Sequence, residues 1–230
     1  MKGREIAFVA CGSILAALFV SLGFWQLSRL AERRAMNEHL RARARTAPVS
    51  VSALPRDTGA AHFRRVKISG LYDFTREFVI TNRSRNGSPG VNIITPVRVA
   101  GSDTAVLVNR GWVYAPDGMT VDLSKWREPD SMSSDGFVEN FTIRKGSAQS
   151  ANRPNVFRWM DRNAITRGFP HPLAGFVVVL IDDGKPQARD IPPRLTVPPL
   201  DEGSHLNYAF QWFSFATISI FGMFLFVRRK

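Results

Sequence analysis

The sequence predicts a membrane protein in which two transmembrane α-helices flank one β-rich extramembrane domain of the α+β, antiparallel type. Two long apolar runs without charged residues, one near each end of the 230-residue chain, predict the helices. Between them, short stretches of β-branched and aromatic residues alternate with turn-forming residues, which predicts strands. This length suits one domain together with its anchors, or at most two small domains.

The first apolar run, residues 6–28, predicts transmembrane helix 1. Its 23 uncharged residues would form a helix of about 34 Å, enough to cross a bilayer core of about 30 Å. No small-residue cleavage site precedes a clear mature start, so we interpret the run as an uncleaved helix. One face of it carries mainly small residues, a pattern that favours close helix packing but is also common in membrane helices generally. This face consists of Gly12, Ala16, Phe19, Gly23 and Gln26.

Residues 29–45 predict a strongly basic juxtamembrane helix. The basic residues are Arg29, Arg33, Arg34, Arg41, Arg43 and Arg45. Two interpretations stay open: a solvated helix that extends away from the membrane, which we favour, or a contact with a partner or with anionic lipid headgroups.

Residues 46–200 predict the β-rich extramembrane domain. It opens with a linker rich in proline and small residues, Thr46–Thr58. The predicted strands are Arg65–Leu71, Phe78–Ile80, Val91–Val99, Ala105–Val113, Phe137–Arg144 and the buried Gly175–Ile181. A short helix is predicted over Arg158–Thr166, and four prolines between 192 and 199 predict a stiff linker.

Residues 206–227 predict transmembrane helix 2, which His205 opens. At 100° per residue, one face carries His205, Tyr208, Ala209, Trp212, Ala216, Ser219 and Met223. We expect this face to pack on the first helix, and we expect Phe210, Phe213, Phe221 and Phe224 to face lipid. With both termini on one side of the membrane, Trp25, Gln26 and Arg29 would lie close to His205, Tyr208 and Trp212. A neutral imidazole can bind a metal or haem iron, but aromatic residues here are also common interfacial anchors.

Charge and cysteine content restrict the classes of function. The net charge is +12, but the basic residues cluster only beside the first apolar run, which favours the lipid bilayer over nucleic acid as partner. The single cysteine, Cys11, excludes an intrachain disulfide framework, and the four histidines lack zinc-site spacing. No nucleophile–base pattern is visible, so we expect a protein that is not an enzyme.

The charges beside the apolar runs give conflicting signals about orientation. The basic tail Arg228–Lys230 and the acidic pair Asp201–Glu202 place the C-terminus inside, whereas the arginines after the first helix favour the opposite arrangement. We expect both termini in the cytoplasm and the middle domain outside it, because long loops translocate despite their charge.

Four stretches together resemble the Surfeit locus protein 1 family. They are Leu22–Arg29 (Leu-Gly-Phe-Trp-Gln-Leu-Ser-Arg); Phe63–Val66 with Gly70 and Tyr72-Asp73; Gly90, Thr95-Pro96 and Val108–Val113 (Val-Asn-Arg-Gly-Trp-Val); and His205–Ala209 (His-Leu-Asn-Tyr-Ala) with Gln211–Phe213. They keep the family's order and span nearly the whole chain. Many members have two asparagines where this chain has Gly203-Ser204.

This resemblance implies a bacterial assembly factor for haem–copper cytochrome c oxidase, in the inner (plasma) membrane. It implies a chaperone that binds haem A and aids its insertion into the large membrane subunit of the oxidase, with the haem A synthesis enzyme as a further partner. The family's histidine matches His205, the expected ligand of the haem iron, and its tryptophan matches Trp212. We expect Trp212, Tyr208 and Trp25 to lie around the macrocycle.

Two alternatives stay open beside haem binding. One is a membrane scaffold that stabilises an oxidase assembly intermediate without holding haem, and the other is an anchored enzyme with unrecognised catalytic groups. The stretch Asn109–Trp112 could also form a site, because an arginine beside a tryptophan offers charge and an aromatic face. A strand end with Trp112 buried is the simpler interpretation.

Overall fold

A computed structural model describes residues 3–54, 58–182, 184 and 187–228, without the side chain of Arg4. Residues 55–57 of the predicted linker therefore lie outside the described part. The chain forms two compact units, one of residues 3–39 with 199–228 and one of residues 40–198. Each unit is described by itself below.

The described residues form four α-helices, most of the remaining elements being β-strands. The helices are α1 (Gly3–Arg45), α2 (Thr58–Ala61), α3 (Arg162–Thr166) and α4 (His205–Arg228). The strands are β1 (Val49–Ser50), β2 (Arg65–Tyr72), β3 (Phe78–Arg85), β4 (Ser88–Val99), β5 (Ala105–Tyr114), β6 (Ser131–Asn140), β7 (Gln149–Ser150), β8 (Arg153–Phe157) and β9 (Leu173–Leu180). Three short 3-10 helices cover residues 51–53, 74–76 and 123–126.

Helices α1 and α4 are long and apolar enough to cross a membrane, and few residues in their apolar parts are buried inside the structure. The predicted layout of two apolar helices around a β-rich domain is thus confirmed. Helix α1 joins the predicted segments 6–28 and 29–45 without interruption, in keeping with the absence of proline from this stretch. Helix α4 begins at His205, at the polar-to-apolar boundary.

The small-residue face of α1 packs against α4. A Cβ atom on Gly23 would lie 2.5 Å from the ring of Phe213, so only glycine allows this close approach. Ala16 and Ala216 are almost fully buried in the same unit. Phe213 differs from its expected lipid-facing position, because its ring lies against α1 and makes an edge contact with Phe24 at 5.4 Å between centroids.

The β-rich unit contains a closed ring of five strands in the order β2, β6, β9, β5 and β4, with β4 pairing back to β2. Strand β4 closes the ring because its first half pairs with β3 up to Ile94, while its last residues, from Val97, pair with β2. Pro96 lies at the change of partner, where it has no N–H to donate. One core cluster draws buried residues from all five strands: Val66, Ile68, Val97, Val108, Val138, Val178 and Leu180.

The sheet is mixed, whereas an antiparallel domain was predicted. Strands β5 and β9 pair in parallel, as do the short ladders β1–β2 and β3–β8. A parallel pair needs a long crossover, so its two strands are far apart in sequence and no local pattern reveals the pairing. Strand β6 also begins at Ser131 instead of Phe137, because the polar Ser133–Asp135 stretch pairs with β2 although it lacks apolar alternation.

Candidate functional site

His205, the first residue of α4, contacts α1 through Gln26. Its Nδ1 atom lies 2.8 Å from Oε1 of Gln26. Gln26 is 8% exposed and lies on the small-residue face of α1, one turn after Gly23. The structure thus joins the two sequence motifs Leu22–Arg29 and His205–Phe213 by one side-chain hydrogen bond, and the expected closeness of Gln26 to His205 is confirmed. Arg29 instead pairs with Glu32 on its own helix at 2.6 Å.

The turn before His205 is also fixed to α1. The Nδ2 amide of Asn37, a buried residue, donates to the carbonyl of Asp201 at 3.0 Å. Arg34 pairs with Glu202 through an Nη2–Oε2 distance of 2.9 Å. The amide of Gly203 donates to Oδ1 of Asp201 at 2.9 Å, closing a turn in which Gly203 has φ +74°. These contacts were not predicted from the sequence. The Asp-x-Gly pattern at residues 201–203 indicates a turn, but no sequence pattern indicates that Arg34 and Asn37 contact it.

The other three predicted site residues occupy different surroundings. Trp212 is half-buried and stacks on Phe19, with 5.8 Å between the ring centroids, so it contributes to helix packing. It lies seven residues after His205, about 10 Å further along the helix. Tyr208 and Trp25 are 47% and 55% exposed. Trp25 is rotated by about 100° from Gln26 around α1, so the structure brings Gln26, not Trp25, to the imidazole.

The residues around His205 fit a haem better than a bare metal ion. A haem iron takes four nitrogens from its macrocycle and needs only one or two axial ligands from the protein. No group of three or more His, Cys, Asp or Glu that could hold an ion occurs among the described residues. A hydrogen bond on Nδ1 is the usual support of a ligating histidine, and the contact of His205 with Gln26 supplies it.

A second polar centre lies inside the β-rich unit, around Arg110 of β5. Its side chain is 0% exposed, pairs with Glu77 at 3.3 Å and with Glu128 at 3.6 Å, and donates from Nη1 to the carbonyl of Trp126 at 2.8 Å. Arg194 closes the cluster, since it donates to both carboxylate oxygens of Glu128, at 3.0 and 2.5 Å, and to the carbonyl of Arg110.

The pKa values of two residues in this cluster are shifted by their buried surroundings. Burial raises the pKa of the Glu77 carboxyl, an effect that the Arg110 guanidinium partly opposes. Burial also raises the pKa of Tyr72, whose ring lies 5.4 Å from the Arg110 guanidinium carbon. The cations Arg110 and Arg194 balance the anions Glu77 and Glu128, and Arg110 is fully buried. We therefore interpret the cluster as a set of ion pairs that stabilises the fold and not as a binding site. The simpler interpretation of Asn109–Trp112 as a buried strand end fits this, with half-buried Trp112 donating to the Arg83 carbonyl at 3.2 Å.

Comparison with known proteins gives one consistent result. The family model described as "SURF1 family" matches residues 13–217 of this chain. A SURF1-like protein of Monosiga brevicollis is 25% identical, over 91% of this chain and 83% of its own length. A SURF1-like protein of Rickettsia felis is also 25% identical, over 94% of this chain and 95% of its own length. Surfeit locus protein 1 of Takifugu rubripes is 29% identical, over 44% of this chain and 48% of its own length.

Proposed function

The chain belongs to the SURF1 family, and we propose that it is a membrane-anchored assembly factor for haem–copper cytochrome c oxidase. It binds haem A and aids its insertion into the large membrane subunit of the oxidase. Haem A is its cargo, so the protein needs no catalytic group of its own. The family match covers both motifs that meet at the His205–Gln26 contact, which supports the proposal that this contact forms the haem site.

One observation carries the proposal: the imidazole of His205 is held through Nδ1 by Gln26, and its Nε2 atom makes no hydrogen bond to any residue that the structure describes. Nε2 is therefore the atom that would bind the haem iron. The exposed rings of Tyr208 and Trp25 supply apolar surface for the macrocycle. Trp212 supports the site indirectly, because it stacks on Phe19 and so packs α4 against α1.

In this proposal the protein lies in the bacterial inner membrane, and its two long apolar helices support that location. In this proposal both termini lie in the cytoplasm and the β-rich domain lies on the periplasmic side, which puts His205 near the outer surface. The basic end of α4 and the acidic approach at Asp201–Glu202 support this orientation. The partners are the oxidase large subunit and the haem A synthesis enzyme, both of which are membrane-bound.

The decisive experiment is an absorption spectrum of the purified chain, expressed together with the haem A synthesis enzymes. We expect the wild type to hold haem A, and we expect His205→Ala to lose the haem or shift its Soret band. His39→Ala is the matched control, because His39 is an exposed histidine of α1 far from the site. It should keep the wild-type spectrum.

Other outcomes would redirect the proposal. If His205→Ala bound haem with an unchanged spectrum, haem binding would stand but another residue would be the ligand. If the wild type held no haem while oxidase assembly still required the protein, the scaffold function would replace the carrier function. An alkaline phosphatase fusion inside the β-rich domain tests orientation, since it is active only outside the cytoplasm.

A further inference from the structure

The contact between Gln26 and His205 determines which imidazole nitrogen carries the proton. The carboxamide oxygen of glutamine has lone pairs and no hydrogen, so it can only accept. In the orientation in which Oε1 of Gln26 faces Nδ1 of His205, at 2.8 Å, Nδ1 is the donor of this hydrogen bond. In the neutral ring, Nε2 then carries the lone pair and is the only nitrogen able to bind an electrophile.

The surroundings of Gln26 keep this arrangement in place. Gln26 is 8% exposed, and Leu30, one turn later on α1, is 5% exposed. On α4, Ala209 follows His205 by one turn and is 2% exposed. Water therefore has little room to replace the carboxamide. An amide this deeply buried needs a partner, and the imidazole provides it.

The opposite edge of the ring is left open by the turn before α4. A Cβ atom on residue 203 would lie 3.3 Å from Cδ2 and 3.5 Å from Nε2 of His205, so glycine at this position keeps that edge uncovered. The Asn37–Asp201 and Arg34–Glu202 contacts hold the turn against α1. Nδ1 of His205 is thus hydrogen-bonded to Gln26, whereas Nε2 stays accessible beside Gly203, which has no side chain.

We propose that Gln26 is the positioning residue of the site: it holds His205 in the Nδ1–H tautomer and presents Nε2 as the electron-pair donor. The use of Nε2 as an iron ligand rests on the proposed function, whereas the tautomer itself does not. A histidine whose Nδ1–H is hydrogen-bonded has a fixed orientation and a more basic Nε2. Gln26 would therefore influence both the affinity for haem and its electronic properties without touching the iron.

The first test uses the protein without haem. The full chain, labelled with ¹⁵N-histidine in lipid nanodiscs, is studied by NMR at a pH of about 8, where ordinary imidazoles are neutral. The chain has four histidines, so His205→Ala assigns the relevant resonances. We expect Nδ1–H in the wild type and in Gln26→Glu, whose carboxylate still accepts. Gln26→Leu should give mixed tautomers or Nε2–H. An Nε2–H wild type, or a tautomer unchanged in Gln26→Leu, would overturn the proposal.

The second test uses the haem-loaded chain. Gln26→Leu should weaken haem affinity about tenfold or more and shift the reduction potential, and Gln26→Glu should restore the affinity. Gln211→Leu is the matched control, because Gln211 is an exposed glutamine of α4. Equal affinity and equal potential in Gln26→Leu and Gln211→Leu would refute the positioning role. If the wild type binds no haem at all, the proposed function fails, and the tautomer experiment still decides the role of Gln26.

Discussion

Arg110 and Glu77 form an ion pair inside the β-rich unit, with 3.3 Å between Nη2 and Oε2 and with side chains 0% and 5% exposed. Glu77 also accepts a hydrogen bond from the hydroxyl of Thr95, on β4. The pair therefore connects β5, β4 and the residue just before β3. Because it is shielded from water, each partner depends on the other for compensation of its charge.

We expect Arg110→Gln to destabilise the β-rich unit by about 3–5 kcal/mol, because it leaves the carboxylates of Glu77 and Glu128 buried without their shared cation. The free energy of unfolding, measured by urea titration of the full chain in nanodiscs and followed by tryptophan fluorescence, gives this value. The control is Arg98→Gln, since Arg98 is exposed on β4. Equal effects of the two substitutions would show that the buried cluster does not stabilise the fold.

Glu77 should also make stability depend on pH. Its pKa is raised by burial, while Arg110 lowers it again and Glu128, Arg127 and the Thr95 hydrogen bond add smaller effects. A raised pKa means that the folded state binds the proton more tightly than the unfolded state. Its contribution is therefore fully present below the ordinary value of 4.5 and is lost as the pH rises through the folded-state pKa.

The substitution Glu77→Gln tests this dependence. It removes the titrating group, so the fall in unfolding free energy above pH 4.5 should become shallower than in the wild type. The measurement is the urea midpoint at a series of pH values with ionic strength held constant. Identical pH profiles for the two proteins would mean that other groups cause the pH dependence.

Several elements could be predicted because their signals are local. The apolar alternation of Val66 and Ile68 predicted β2, and the run before Leu180 predicted β9. Two membrane spans with both termini on one side predicted that Trp25, Gln26 and Arg29 would lie close to His205. Gln26 does contact it, although the two residues are 179 positions apart in the sequence.

The charged cluster could not be predicted in this way. Arg194 lies in a proline-rich segment 66 residues from Glu128, and no periodicity links the two. Only closure of the strand ring brings them together, and closure depends on pairing between distant strands. The contacts of Arg34 and Asn37 with the turn before α4 could not be predicted either, because their partners are distant in sequence. The basic composition of this helix alone predicts a surface exposed to solvent.

Gly203 should tolerate asparagine but not alanine. Its φ of +74° is in the left-handed region, which costs most L-residues about 1–2 kcal/mol but is more accessible to asparagine. We expect Gly203→Ala to speed amide exchange across residues 201–208 about fivefold or more, and Gly203→Asn to leave it unchanged, as measured by hydrogen–deuterium exchange mass spectrometry.

A remote glycine serves as the control for this experiment. Gly101 also has a positive φ, +75°, but lies in the β4–β5 turn of the other unit. Gly101→Ala should therefore leave exchange in residues 201–208 at the wild-type rate. If Gly203→Ala behaved the same way, the turn before α4 would not depend on its left-handed residue.

Gly23 allows α1 and α4 to approach each other, and a larger residue there should separate them. In Gly23→Val the new side chain would collide with the Phe213 ring, which lies 2.5 Å from a Cβ at that position, and such overpacking typically costs about 1–3 kcal/mol. Helix contact can be measured by disulfide formation between cysteines at positions 13 and 223, where Ser13 Oγ and Met223 Sδ are 3.8 Å apart, with Cys11→Ser to remove the native thiol.

We expect Gly23→Val to slow this cross-linking about fivefold or more. Gly222→Val is the matched control, because no atom lies within 4 Å of a Cβ at that position on α4. The double variant Gly23→Val/Phe213→Ala should regain the wild-type rate, since removal of the ring makes room for the valine. A slow rate in the double variant, or an unchanged rate in Gly23→Val, would show that the helices do not depend on this contact.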